Sequence, residues 1–147
     1  MDRPKSGKLE IIRVYVDMVA DLFHYGHVNF LRQARTHGDY LLVGVHADET
    51  VMSYKRLPIF SMEERVASVE GCRYVDEVIP NAPLTIDRVW IEQHNIDLIV
   101  HGDDISSEKE GGWYKIPIEM GIYRSVGYTP EISTTEIIAR IAAAEVN

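Results

Sequence analysis

A regular alternation of short apolar runs with amphipathic ones constrains this chain more than any other feature. "EIIRVYVD" (10–17) is β-rich. "GHVNFLRQARTHG" (26–38) then places Val28, Leu31 and Ala34 on one helical face with Phe30 beside them, and Gly38 is a natural stop. "DYLLVGVH" (39–46) is almost wholly apolar, as a strand buried on both faces must be. "SMEERVASVEG" (61–71) opens on a capping box, Ser61 with Glu64. "YVDEVI" (74–79) is strand-like, "TIDRVWIEQHN" (85–95) helical, and "IDLIVHG" (96–102) a further buried strand. "STTEIIARIAAAEV" (133–146) repeats the capping-box pattern, Ser133 with Glu136, before an apolar helix. Between these, "SSEKEGGWYK" (106–115) is polar and glycine-rich and reads as a mobile surface loop.

Strands that alternate with helices imply parallel pairing through right-handed crossovers. The expected fold class is therefore α/β: a Rossmann-like three-layer domain with a parallel β-sheet. The 147 residues suit one core, and no repeat, low-complexity segment or linker interrupts them, so residues 1–147 read as a single domain.

The net charge of −8, from 15 Lys and Arg against 23 Asp and Glu, argues against nucleic-acid or acidic-membrane binding. A small phosphate-bearing substrate stays open, because a few local cations and helix N-termini hold one against an acidic background. No apolar run approaches a membrane span, "MDRPKSGKLE" lacks the apolar core of a signal peptide, and Cys72 has no partner for an intrachain disulfide. The expectation is a cytoplasmic protein without membrane insertion.

Ligands of open parallel sheets bind beyond the carboxyl ends of the strands. There the order of elements brings together "DMVADLFHYGH", "HADETVMSYKRLPIF" and "HGDDIS", with Ser133-Thr134-Thr135 opening the final helix. His24 and His27 stand at a helix mouth, with Gly26 between them to let a ligand approach the backbone. The pair fits an anion site, but also a pair of packed core histidines. A zinc site would need further ligands, with Asp21, His101 and Asp103 the available ones, and no cysteine cluster or His-Glu-x-x-His pattern supports it.

Taken together, "DLFHYGH", "GDYLLVGVHADE", "ERVASVEGCRYVDEVI", "HGDDI" and "ISTTEI" resemble the cytidylyltransferase family of the nucleotidyltransferase superfamily over about residues 11–141. "HYGH", "LRQAR", "VGVHADE", "EER" and "HGDDI" are most similar to its ethanolamine-phosphate branch, and "RYVDEVIP", "HNID" and "GDD" to its glycerol-3-phosphate branch. The resemblance implies transfer of CMP from CTP to a small phosphate- or phosphonate-bearing acceptor, with release of pyrophosphate. Phosphoethanolamine is the first expectation. Glycerol 3-phosphate, phosphocholine and a phosphonate such as hydroxyethylphosphonate are alternatives. An adenylyltransferase and a non-catalytic nucleotide-binding regulator are the other readings.

The resemblance also implies roles. His24, His27 and Lys55 would act on the α-phosphate, Lys55 as a mobile point charge. Asp21, Gly26, Arg65, His101, Gly102, Asp103, Ile132, Ser133 and Thr134 would bind the nucleotide. Asp103 would hold Mg²⁺ together with phosphate oxygens. The segment Tyr74-Val75-Asp76 would lie at a homodimer interface.

The chain departs from the family pattern in two places. Met18 stands where a glycine is usual in the first loop. Before the last helix, Tyr128 replaces an arginine and Glu131 a glycine. Losing the arginine removes a charge-assisted contact to the triphosphate, with Arg124 or Lys115 as substitutes. Tyr128→Arg is therefore expected to lower the KM for CTP in steady-state kinetics; an unchanged or raised KM would mean that the triphosphate is held in another way.

Overall fold

The computed structural model describes residues 10–127, 129–130 and 132–144. Tyr128 and Glu131, the two departures before the last helix, lie outside the described residues. The strands are β1 (Arg13–Met18), β2 (Tyr40–Val45), β3 (Glu77–Pro80), β4 (Leu98–Gly102) and β5 (Tyr123–Val126). The helices are α1 (Tyr25–Arg35), α2 (Asp48–Met52), α3 (Met62–Glu70), α4 (Arg88–Gln93), α5 (Ser107–Trp113), α6 (Lys115–Glu119) and α7 (Thr134–Ala143). All five strands pair in parallel in the order β3-β2-β1-β4-β5.

Each strand's side chains alternate between two cores. Val14 and Val16 of β1 meet Leu41 and Val43 of β2, Leu31 and Ala34 of α1, and Val69 of α3 on one face. On the other, Tyr15 meets Leu42, Ile91 of α4, Ile99 and Tyr114. The result is the three-layer α/β domain that the alternation implies. The segment 106–115 differs from its reading as a loop. It forms α5 and the start of α6, and β5 follows as an edge strand that pairs from Ile99↔Tyr123 to Gly102↔Val126. Ser106 caps α5 by accepting from the Lys109 N–H at 3.3 Å, which offsets the poor helix propensity of Gly111 and Gly112.

The sheet opens at its centre. β1 pairs with β2 along its whole length, from Arg13↔Tyr40 to Met18↔Val45. Against β4 it pairs only at Val14↔Leu98 and Tyr15↔Ile99. Chain order reverses at this same junction, where open α/β sheets form their ligand crevice.

The loops around the crevice are cross-braced by Arg65, which is fully buried. Its guanidinium donates to the Val19 carbonyl at 2.8 Å, the His46 carbonyl at 2.7 Å, the Phe60 carbonyl at 3.3 Å and the Asp48 carboxylate at 2.6 Å. One side chain thus ties the segments after β1 and β2 and before α3 to one another. Arg65→Met is expected to cost about 3 kcal/mol or more, since it leaves buried acceptors without a donor. Urea denaturation checks this.

Candidate functional site

A cleft of about 760 Å³ opens at the carboxyl ends of β1, β2 and β4, within the size range of small-molecule sites. Of the residues expected from sequence, Asp21, His24, Gly26, His27, Lys55, His101, Gly102, Ile132, Ser133 and Thr134 line it.

The two histidines build the N-terminus of α1 themselves. His24 is the N-cap, and its Nδ1 accepts from the Gly26 N–H at 2.9 Å. His27 reaches back, its Nδ1 accepting from the His24 N–H at 3.1 Å. This is a capping box made of imidazoles. With both Nδ1 atoms acting as acceptors, each neutral ring carries its proton on Nε2. The ring centroids are 4.0 Å apart, and Phe23 stacks on His27 at 5.2 Å. Burial lowers the pKa of His24; burial, followed by the charges of His24 and Lys55, outweighs Asp21 and lowers that of His27 to about 3. Near neutral pH the pair is therefore two uncharged Nε2–H donors.

Gly26 lines the cleft and also makes room within the chain. A Cβ there would stand 2.8 Å from His24 Cε1 and 3.0 Å from its Nδ1. The glycine makes room for the capping ring, and the cap already uses the Gly26 N–H.

Asp21 lines the cleft, but its carboxylate is occupied. Its oxygens accept from the Ile59 and Phe60 N–H groups, each at 2.8 Å, with Arg56 at 3.6 Å. Its carbonyl accepts from Thr134 Oγ1 at 3.0 Å, so the hydroxyl of Thr134 serves the loop. Asp21 is flanked by Ala20 at φ 61° and Leu22 at φ 48°, left-handed conformations that cost about 1–2 kcal/mol each. The bonds to Asp21, with Arg65 on Val19, hold this strained turn in place. Ser133 caps α7 by accepting from the Glu136 N–H at 3.0 Å, while Glu136 turns to Arg140 at 3.4 Å rather than closing the box.

Two expected nucleotide contacts are displaced. Arg65 is buried with its donors directed at the loops and does not line the cleft. In "HGDD" the lining carboxylate is Asp104 rather than Asp103. Asp103 sits instead on the β5 side, its N–H donating to the Val126 carbonyl at 2.9 Å. No group of three or more His, Cys, Asp or Glu suited to a metal occurs among the described residues. This donor set fits Mg²⁺ only where phosphate oxygens and water complete the shell, as that hard cation commonly requires.

Sequence reasoning missed Asp17. It is 4% exposed at the end of β1, on the same face as Tyr15, where β1 and β4 part. Tyr114 donates its hydroxyl to Oδ1, while Oδ2 has no hydrogen-bond partner among the described residues and lies 3.7 Å from His46 Nε2. Asp17, His46, Tyr54 and Tyr114 all line the cleft. The signal was a carboxylate ending an otherwise apolar buried strand, "RVYVDM".

The depressed pKa of His27 has a consequence for stability. A histidine that titrates at 6.5 unfolded and at about 3 folded contributes fully above pH 6.5 and loses that contribution as pH falls toward 3. Stability measured by urea unfolding is expected to drop between pH 7 and pH 5, and to drop less in His27→Asn. An equal drop in both would place the acid sensitivity elsewhere.

The chain is similar to known proteins over most of its length. The family model described as "Cytidylyltransferase-like" matches residues 17–140. An ethanolamine-phosphate cytidylyltransferase of Dictyostelium discoideum is 47% identical over 133 residues, 87% of this chain and 37% of that protein. The ethanolamine-phosphate cytidylyltransferase of Mus musculus is 43% identical over 136 residues, 92% of this chain and 34% of that protein. The chain thus spans about a third of the length of these relatives. Among solved structures, the lipopolysaccharide core biosynthesis protein of Thermoplasma volcanium GSS1 superposes with a TM-score of 0.65 at 27% identity, covering 82% of this chain and 98% of that one. The chain belongs to the cytidylyltransferase-like family.

Proposed function

We propose that this chain transfers CMP from CTP to phosphoethanolamine and releases pyrophosphate. The histidine capping box carries the reading. An oxygen of the acceptor phosphate attacks the α-phosphorus of CTP in line. The bond from that phosphorus to the oxygen bridging to the β-phosphorus breaks, and pyrophosphate leaves with the electron pair. Two neutral Nε2–H groups, held at a helix N-terminus by their own backbone bonds, suit the charge that builds on the α-phosphate oxygens. They need no reorientation as the charge develops, so the chemistry rests on positioning. Lys55 at the cleft mouth supplies a positive charge, and the first turn of α7, behind Ser133, supplies backbone N–H groups to the terminal phosphates. Mg²⁺, held by phosphate oxygens with Asp104, would neutralise triphosphate charge.

Asp17 supports the choice of acceptor. Its Oδ2, buried and without a hydrogen-bond partner among the described residues, belongs to a residue that lines the cleft and suits the primary ammonium of phosphoethanolamine. Glycerol 3-phosphate brings no charge to pair there, and a quaternary ammonium has no N–H to donate. For self-association, β3 is a short edge strand whose preceding residue Asp76 is engaged within the chain, accepting from the Leu41 N–H at 2.8 Å and pairing with Arg35 at 3.2 Å. A homodimer through the neighbourhood of residues 74–76 is part of this proposal.

Pyrophosphate release with Mg²⁺ is expected for CTP with phosphoethanolamine, ahead of ATP, GTP or UTP and ahead of phosphocholine, glycerol 3-phosphate and phosphonates. No release with CTP under any acceptor would overturn the reading, and tight CTP binding without release would favour a regulator. Asp17→Asn is expected to raise the KM for phosphoethanolamine about tenfold or more while leaving that for CTP unchanged.

A further inference from the structure

The rim of the cleft formed by α5 and the segment after α2 carries Lys109, Tyr54 and Trp113, which the proposed chemistry does not use. Lys109 of α5 lines the cleft, exposed at its mouth. Its ammonium lies 5.2 Å from the ring centre of Tyr54 and 5.6 Å from that of Trp113. Those rings meet edge to face at 5.1 Å, bridging the segment after α2 to α5. Lys55 Nζ stands 5.6 Å from the same Tyr54 ring, on the neighbouring residue. Two ammonium groups from two separate elements therefore converge on one aromatic platform. Among the described residues neither forms an ion pair. Glu110, beside Lys109 on α5, accepts from the Tyr123 hydroxyl at 2.7 Å.

Like charges brought together at a mouth repel unless an anion comes between them. Burial, then Arg56, Lys109 and the opposing Asp21 and Asp104, act on Lys55, with the net effect of lowering its pKa. The cost of holding these cations near each other falls when a dianion bridges them. In a chain of net charge −8, such a concentration of positive charge is local and directed.

The position of the pair identifies which phosphate it meets. Trp113 of the platform directly precedes Tyr114, whose hydroxyl donates to the Asp17 carboxylate. Tyr54 lines the same cleft as Asp17, its hydroxyl pKa pushed up to about 12 by burial and by that carboxylate. The platform is thus next to the carboxylate suited to the acceptor's ammonium. The helix end suited to the terminal phosphates of CTP belongs to a different element, at Ser133 of α7. On the proposed function, an acceptor whose ammonium meets Asp17 presents its phosphate to the platform.

Building on the proposed function, we infer that Lys109 binds the acceptor's phosphate jointly with Lys55, the Tyr54–Trp113 pair holding its ammonium in place. Lys109 is thereby a binding residue for the acceptor, supplied by the segment that reads from sequence as a loop. The aromatic faces hold the ammonium by cation–π attraction without neutralising it, so its charge stays available.

Calorimetric titration of phosphoethanolamine into the full chain, and steady-state kinetics, test this with Lys109→Met and Lys109→Arg. Methionine keeps the apolar stem against the rings. Lys109→Met is expected to weaken phosphoethanolamine binding and raise its KM by about tenfold, the loss of one charge-assisted contact, with the KM for CTP unchanged. Lys109→Arg is expected to restore most of the loss. A rise in the KM for CTP instead, unchanged acceptor binding in Lys109→Met, or no acceptor binding by the unmodified chain would each overturn the inference. Acceptor binding that depends on Lys109 without pyrophosphate release would sustain it and overturn the proposed activity.

Discussion

The cleft depends on a buried guanidinium. Loops carry the chemistry of a doubly wound sheet, yet loops are the least ordered parts of such a fold. Arg65 resolves this by reaching from α3 into the space where the segments after β1 and β2 meet, and donating to carbonyls of both. A buried arginine is costly unless its hydrogen-bonding groups are satisfied. That cost makes the arrangement specific, because displacing either segment would leave a buried charge without partners. Asp21 repeats the device with opposite sign, accepting two backbone N–H groups from the segment that precedes α3. Between them, the two residues keep Ala20 and Leu22 in a left-handed turn that the chain would not otherwise adopt.

The turn in turn sets the histidines. His24 lies two residues after Leu22 and is the N-cap of α1, so its placement follows from the exit geometry of that turn. Each ring is anchored by a backbone bond to Nδ1, and burial keeps both rings neutral near pH 7. In the proposed reaction neutrality has a use. Two imidazolium ions with ring centres 4.0 Å apart would repel each other and hold a triphosphate ground state too well, whereas neutral donors would gain most as charge accumulates on the phosphorus oxygens. Positive charge is placed instead on mobile lysine side chains at the mouth.

The fold was legible because hydrophobic periodicity reports burial directly. "DYLLVGVH" could only be a strand covered on both faces, and "SMEERVASVEG" carries its own start signal, formed reciprocally by Ser61 and Glu64. The α5–β5 region was not legible, because Gly111, Gly112 and a run of charges mimic a loop. Its order comes from contacts distant in sequence, such as Tyr114 reaching Asp17 and Tyr123 reaching Glu110. At the site, histidine and glycine at fixed spacing pointed to residues that line one cleft, but not to the room that Gly26 makes for the His24 ring. Arg65 and Asp21 have the residue types of ligand-binding groups. Only the direction of their side chains reveals that they brace the loops. In "HGDD", a difference of one residue decides which carboxylate faces the cleft, and no pattern in a single sequence encodes that.

Asp17 shows why a site forms at this place in the sheet at all. In a continuous parallel sheet, the end of β1 would be covered by its neighbour and a carboxylate there would have no function to offset its desolvation. Here the ladder with β4 stops at Tyr15↔Ile99, and the next residue on that face is Asp17. The sheet's own divergence thus creates a space, lined on one side by a strand whose alternation has just delivered an anion into it. Tyr114 enters the same space from the segment between α5 and α6 and satisfies one carboxylate oxygen, while the other has no hydrogen-bond partner among the described residues. The strand reversal that defines the fold therefore also sets the lining of the cleft, which combines the Asp17 carboxylate, the Tyr54–Trp113 rings and the N-terminus of α7. A molecule with an ammonium at one end and a phosphate at the other suits that lining, so the proposed choice of acceptor follows from the topology of the sheet rather than from any single loop.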